Sequence, residues 1–203
     1  MKNTMKTFFE LFNAILTADK NTSRKASREV RKLLYSSHNS QYDEILSIIK
    51  NAPKEYIKIK EDFRKNNFVM AVSVMYFLHD KEDCPDFLFP WIFDLLQHKN
   101  GNIRFAAVRI LEHELGPLTY HIRFPNEKSN NHELSPEQAN NILYSLFINL
   151  HNLATHLWET SYKRFKYIFS LPTGPYKSVQ MILAQLDEYC DDNFMSRCKS
   201  NIF

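Results

Sequence analysis

Residues 100–111 have the sequence NGNIRFAAVRIL, which places a polar turn directly before an apolar segment. The turn at residues 99–102 leads into a helix predicted over residues 103–115, which Gly116-Pro117 should end. Before the turn, apolar residues also recur at helical spacing, namely Phe87, Leu88, Trp91, Ile92 and Leu95. The sequence therefore predicts two helices joined by a tight turn.

Glycine is scarce in the whole chain. Its 203 residues include three glycines, where average usage of about 7% would give roughly fourteen. Hairpins and strand-dense folds need many residues at positive φ, which glycine adopts most easily. Three scattered glycines also cannot form the GxGxxG or GxxxxGK[ST] loops that bind phosphates. The composition predicts an all-α protein and argues against common nucleotide-binding enzymes.

Apolar residues recur at steps of three and four through the first part of the chain. This spacing predicts helices over residues 8–16 and from Ala26, a third from about Ser40, and a fourth with Pro53 in its first turn. Residues 68–78 are apolar on more than one face, which predicts a helix covered on several sides.

The second part of the chain contains one segment without periodicity, residues 118–134, which predicts a long loop. Ser135-Pro136-Glu137-Gln138 has the pattern of a capping box and predicts the start of a long helix, to about Leu157. Further helices are predicted at residues 160–170 and 176–189. We expect a single all-helical domain over the 203 residues.

The segment at residues 100–111 resembles the second helix of a HEAT repeat, in which a polar turn precedes small residues, a Val-Arg pair and an aliphatic residue. The residues in that pattern are Ala106, Ala107, Val108, Arg109 and Leu111. A weaker copy lies at residues 21–34, where Arg28 and Glu29 replace the two alanines. The resemblance implies a HEAT-like right-handed α-α superhelix of antiparallel helix pairs. A globular helical bundle remains the alternative.

Positive charge is concentrated in one place. The net charge is +3, from 26 Lys and Arg against 23 Asp and Glu, but residues 20–34 alone carry +5. We call five of these residues the basic stripe: Arg24, Lys25, Arg28, Arg31 and Lys32. The arginines are spaced four and three apart and share one helix face, opposite Ala26, Val30 and Leu33. The stripe is either a binding surface for carboxylates or phosphates, or an ordinary solvated face.

In a HEAT-like arrangement the second helices line the concave surface, so the stripe would belong to that surface. We add three residues to the candidate contacts: Arg109 of the Val-Arg pair, and His121 and Arg123 of the predicted loop. The hypothesis is a non-enzymatic module, of the scaffold or toxin-immunity type, that recognises a protein partner through a concave, locally basic surface.

Nucleic acid is the alternative partner. Some HEAT-like proteins are alkylpurine DNA glycosylases with Trp and Asp in a basic groove, and Trp91 and Asp94, one turn apart, resemble that pair. Lys163, Arg164 and Lys166 alternate with aromatic residues and would suit a phosphate track. The simpler interpretation makes Trp91 a core residue and the three cations the wet edge of an amphipathic helix.

The remaining chemistry-bearing residues form no recognised catalytic pattern. The eight histidines lack HExxH or Glu-x-x-His spacing, and there is no GxSxG. Three cysteines without a CxxC pair favour a reducing, cytoplasmic location. No apolar run reaches the length of a membrane span. We therefore expect no metal, no cofactor and no membrane partner. We also expect no enzymatic activity, with a DNA glycosylase-like activity as the alternative.

Overall fold

The computed structural model describes residues 6–36, 41–81, 85–127, 134–161 and 174–200. These residues are helical or irregular, with no strand among them, which confirms the all-α prediction. The α-helices are α1 Phe8–Thr17, α2 Lys20–Ser36, α3 Tyr42–Lys58, α4 Asp62–Met75, α5 Phe89–Leu96, α6 Gly101–Leu118, α7 Tyr120–Arg123, α8 Pro136–Ser161, α9 Pro175–Tyr189 and α10 Asp192–Ser200. A 3₁₀ helix, Tyr76–Lys81, follows α4. Within these ranges no helix combines the length and the apolar character that crossing a membrane would take.

The chain divides into two compact helical units, Met1–His79 and Asp80–Phe203. That the whole chain forms one domain stays a prediction.

Helix α4 is the centre of the first unit, because it packs against α1, α2 and α3. Its residues 67–69 and 71–75 are all buried, so the predicted core helix is confirmed as far as Met75. Residues 76–78 belong instead to the 3₁₀ helix, where Phe77 is 41% exposed. The rings of Phe12 on α1 and Phe68 on α4 meet edge to face, with centroids 5.5 Å apart. Such aromatic pairs stabilise a fold by more than the burial of their apolar area alone would.

The expectation that Pro53 opens a fourth helix is wrong, since α3 runs through it to Lys58. Proline removes one backbone donor from the helix interior and is unfavourable there. However, α3 buries Ile45, Ile48, Ile49 and Ala52 on one face, and packing of an amphipathic face supplies most of a helix's stability in proteins. Tertiary packing of α3 therefore outweighs the unfavourable effect of Pro53 on the helix.

Helix α6, which contains the AAVRIL sequence, is the centre of the second unit and packs against α5, α7, α8 and α9. Asn100 caps its start, since the Asn100 side chain accepts a hydrogen bond from the backbone N–H of Asn102 at 2.9 Å. Ala106 and Ala107 are fully buried, and small side chains at those positions let neighbouring helices approach closely. The predicted pair of helices around the turn is present as α5 and α6.

The predicted loop at residues 118–134 begins later than expected. Helix α6 continues through Pro117 to Leu118, and Tyr120–Arg123 forms the single turn α7. Leu115 and Leu118 are both buried, and the Arg123 guanidinium donates to the carbonyl of Gly116 at 2.8 Å. Residues 128–133 of that segment lie outside the described residues.

The last part of the chain mixes confirmed and unexpected helices. The capping box is confirmed: the Ser135 N–H donates to Gln138 Oε1 at 2.9 Å, and the Gln138 N–H donates to Ser135 Oγ at 3.3 Å. Helix α8 extends beyond Leu157 to Ser161, and α9 matches its prediction. Most of the helix predicted at residues 160–170 falls outside the described residues, and α10 was not expected.

Candidate functional site

The start of α2 is fixed by Asp19, which lies in the two-residue turn after α1. Its carboxylate accepts hydrogen bonds from Thr22 Oγ1 at 2.6 Å and from the backbone N–H groups of Asn21 and Thr22 at 2.9 and 3.2 Å. These bonds, led by the one from the Thr22 hydroxyl, lower the pKa of Asp19. An acidic cap of this kind satisfies orphan donors at a helix start and is favoured by the helix dipole.

The inner face of α2 packs against α1 and α4 through Ala26, Val30 and Leu33. Three buried or half-buried polar contacts accompany these apolar ones. Ser23 Oγ donates to the Ile15 carbonyl at 2.9 Å, Asn67 Nδ2 donates to Ser23 Oγ at 2.9 Å, and Ser27 Oγ donates to the Asn67 carbonyl at 2.8 Å. We call Ser23, Ser27 and Asn67 the polar cluster. Because hydrogen bonds are directional, the cluster sets the rotation of α2 about its axis.

All five residues of the basic stripe are exposed on the outer face of α2. Within the described part of the chain, none of the five forms an ion pair. In the part of the chain that the structure describes, the stripe is thus a row of exposed cations on one helix, without an ion pair to offset them.

The acidic residues closest to the stripe in sequence are engaged elsewhere. Glu29 pairs with Lys6 of the segment before α1, with Nζ and Oε2 3.0 Å apart. Asp19 caps the helix at its N-terminal end. Neither carboxylate is therefore positioned to neutralise Arg24, Arg28 or Arg31.

The stripe should cost stability, because like charges at i,i+3 and i,i+4 repel on a helix surface. Arg24 and Arg28 are four apart, and Arg28 and Arg31 are three apart. We expect R24Q/R28Q/R31Q to raise the free energy of unfolding by about 0.5–1 kcal/mol, since glutamine has a similar helix propensity without the charge. Urea denaturation at low salt measures this gain, and salt should reduce it by screening. A loss of stability would show that the arginines hold the fold together.

The other candidate contacts, Arg109, His121 and Arg123, belong to the second unit, whereas the stripe belongs to the first. Arg123 is already engaged: its Nε donates to Thr119 Oγ1 at 3.1 Å, and its guanidinium lies 4.8 Å from the ring centroid of Tyr189. His121 Nε2 lies 3.0 Å from Asn140 Oδ1. In the second unit, Arg123 and His121 therefore connect α7 to its neighbours.

Arg109 is half-buried on α6, next to two titratable side chains. Burial raises the pKa of Glu112, and the Arg109 charge opposes that shift. Burial also lowers the pKa of His113, and there the Arg109 charge adds to the effect. These shifts have an ordinary structural cause and do not identify an acid–base pair.

Trp91 and Asp94, the pair proposed for nucleic-acid binding, differ in their exposure to solvent. Trp91 is 7% exposed in the core of the second unit, whereas Asp94, one turn later on α5, is exposed. A buried indole is not placed to stack on a nucleobase at the surface, so the structure favours the core interpretation of Trp91. Lys163, Arg164 and Lys166 lie outside the described residues.

The described cysteines are poor nucleophiles. Cys190 and Cys198 are buried and free, and burial raises the pKa of Cys190 to about 12. The pKa of Cys198 is raised by the same cause. Since the thiolate is the reactive form, neither thiol is activated at neutral pH. Among the described residues, no group of three or more His, Cys, Asp or Glu side chains is arranged to hold a metal ion.

Sequence reasoning missed Tyr35, which is 74% exposed near the end of α2. It follows Arg31 by four residues and Arg28 by seven, so it lies on the same face as the arginines. Extending the spacing of the arginines by one more step would have found it.

Two grooves were also not indicated by the sequence. One of about 310 Å³ lies between α1 and α3 over Phe68. The other, of about 420 Å³, lies between α8 and α9, where the rings of Trp158 and Tyr176 are 5.4 Å apart. Neither groove is lined by a residue of the basic stripe.

The described residues thus form an all-helical structure in which the basic stripe is exposed on α2. The first unit, residues 1–79, contains 14 Lys and Arg and 8 Asp and Glu, whereas residues 80–203 contain 12 and 15. No family model matches the chain, and neither does any curated protein or solved structure.

Proposed function

We propose that this protein is a non-enzymatic binding module that recognises an acidic protein partner through the basic stripe of α2. The observation that carries the proposal is the exposure of Arg24, Lys25, Arg28, Arg31 and Lys32 without an ion pair among the described residues. The proposal includes a HEAT-like superhelix, in which α1–α2 and α5–α6 are two helix pairs joined by short turns.

Arginine is well suited to this role. Its planar guanidinium presents several donors that match a carboxylate in a bidentate geometry, and it remains charged at any physiological pH. The polar cluster holds the helix that carries the three arginines. The backbone of that helix therefore loses little conformational freedom when a partner binds. The stripe therefore favours fast association and selective binding of an acidic surface.

Nucleic acid is the class of partner that the test must separate from protein. Phosphates attract the same cations, but burial of Trp91 removes the aromatic residue that the glycosylase-like arrangement would need. Protein recognition is therefore the function that the surface supports best.

The test uses the purified full-length chain as bait in an extract of the native host, beside R24Q/R28Q/R31Q as a matched bait. We expect a protein that the wild-type bait retains and the variant loses. The affinity of that purified protein should fall when salt is raised from about 50 to about 300 mM, because salt screens exposed charges. A duplex DNA of about 20 base pairs should not bind.

Two outcomes would overturn the proposal. If both baits retain the same proteins equally, the stripe is a solvated face. If the duplex DNA binds with an affinity that falls steeply with salt, the partner is nucleic acid.

A further inference from the structure

Tyr35 is the large aromatic side chain that shares the outer face of α2 with the arginines. We propose that Tyr35 is the anchor of the interface and inserts into an apolar pocket of the partner that is bordered by carboxylates. This inference rests on the proposed function and names the kind of surface that the partner presents.

Tyr35 is 74% exposed, whereas the apolar residues of the opposite face, such as Val30 and Leu33, are buried. An aromatic ring in water contributes little to folding, but it gains a large apolar contact area when a partner covers it. Tyrosine and arginine are also the residue types, with tryptophan, that most often dominate the binding energy of interfaces.

Arg24, Arg28, Arg31 and Tyr35 are spaced four, three and four apart, so they form one row along α2. At 1.5 Å per residue the row is about 16 Å long. Side chains in one row along a helix can all reach the same groove of a partner when the helix docks lengthwise.

The two ends of the row require different surfaces on the partner. The arginine end needs acidic walls, and the tyrosine end needs an apolar pocket. A folded protein can supply both within 16 Å. Duplex DNA presents phosphates along its length but keeps its bases stacked, so it has no pocket for an exposed tyrosine. The row therefore fits an acidic groove of a protein with an apolar pocket at one end.

The experiment places a photo-reactive residue at position 35, as Tyr35→p-benzoylphenylalanine, in the full-length chain in its native host. The matched control is Ile57→p-benzoylphenylalanine, because Ile57 is an 80% exposed apolar residue on α3 of the same unit. We expect an adduct with one protein from position 35, and a much weaker one or none from position 57. Combining Tyr35→p-benzoylphenylalanine with R24E/R28E/R31E should remove the adduct. Mass spectrometry should place the cross-link at apolar residues near Asp or Glu.

The absence of a position-specific adduct would overturn the inference, and so would an adduct that nuclease removes. Y35A provides the second measurement, on the protein that the cross-link identifies. Y35A should weaken its affinity about 30-fold or more without changing the salt dependence, because a hot-spot residue is lost and no charge is. Y35F, which keeps the ring, should retain most of the affinity, and I57A should bind like the wild type.

The two proposals fail in different ways. If Y35A binds normally while R24E/R28E/R31E does not, Tyr35 is not the anchor and the proposed function stands. If neither variant weakens binding, the proposed function itself is wrong.

Discussion

Reversing three charges together, as R24E/R28E/R31E, should abolish partner binding while leaving the fold intact. Each buried or bidentate charge contact that loses its partner costs about 2–5 kcal/mol, and reversal adds repulsion from the partner's carboxylates. The combined loss should exceed about a thousandfold in affinity. The fold should tolerate the changes because all three side chains are exposed, and surface substitutions usually shift stability by about 0.5 kcal/mol or less each. Binding and thermal melting of the same preparation check both halves of the prediction.

The matched control changes the same number of charges elsewhere. Lys54, Lys60 and Lys177 are exposed, so K54E/K60E/K177E lowers the net charge by the same amount. This variant should bind the partner with nearly wild-type affinity. Equal losses in both variants would mean that total charge, rather than the stripe, determines binding. Unfolding of R24E/R28E/R31E would instead assign the stripe to the core.

The largest expected effect on stability is at Leu111 in α6. Its side chain is fully buried, on the helix that packs against α5, α8 and α9 in the second unit. Truncation by L111A removes apolar contacts and leaves a cavity, which costs about 2–5 kcal/mol for a buried leucine. Because whole domains are stable by only about 5–15 kcal/mol, this variant should unfold at much lower urea concentration.

Phe105, on the same helix, provides the control for L111A. Its ring is 57% exposed, so F105A should cost less than about 1 kcal/mol, although it deletes more atoms. Urea denaturation followed by circular dichroism gives both values. If L111A costs as little as F105A, the interior of the second unit is not packed around α6.

Local signals predicted helices well where they agreed with packing. The polar turn at residues 99–102 and the Ser135 capping box are each followed by the expected helix, and most of the apolar run at residues 68–78 lies in α4. Pro53 and Pro117 led to wrong predictions of helix boundaries, because each lies inside a helix whose apolar face is buried. A sequence shows that a proline is unfavourable in a helix, but not how much apolar area compensates for it.

The candidate surface was predicted in part. The spacing of Arg24, Arg28 and Arg31 was enough to place them on one face, and the structure finds them exposed. The engagement of Arg123 with Thr119 and Tyr189 could not be predicted, because it depends on how α7 and α9 are placed. The contact between Asn67 and Ser23 could not be predicted either, because these residues are 44 positions apart in the sequence.

The polar cluster of Ser23, Ser27 and Asn67 holds α2 through its inner face. Turning α2 by one residue, about 100°, would break the three hydrogen bonds of the polar cluster. The rotation of α2 about its axis is therefore determined by contacts inside the unit. Side chains on the exposed face of α2 do not contribute to these contacts, so their identity can change without altering the rotation of the helix. A different row of side chains, grafted at positions 24, 28, 31 and 35, should therefore leave the packing of α2 unchanged.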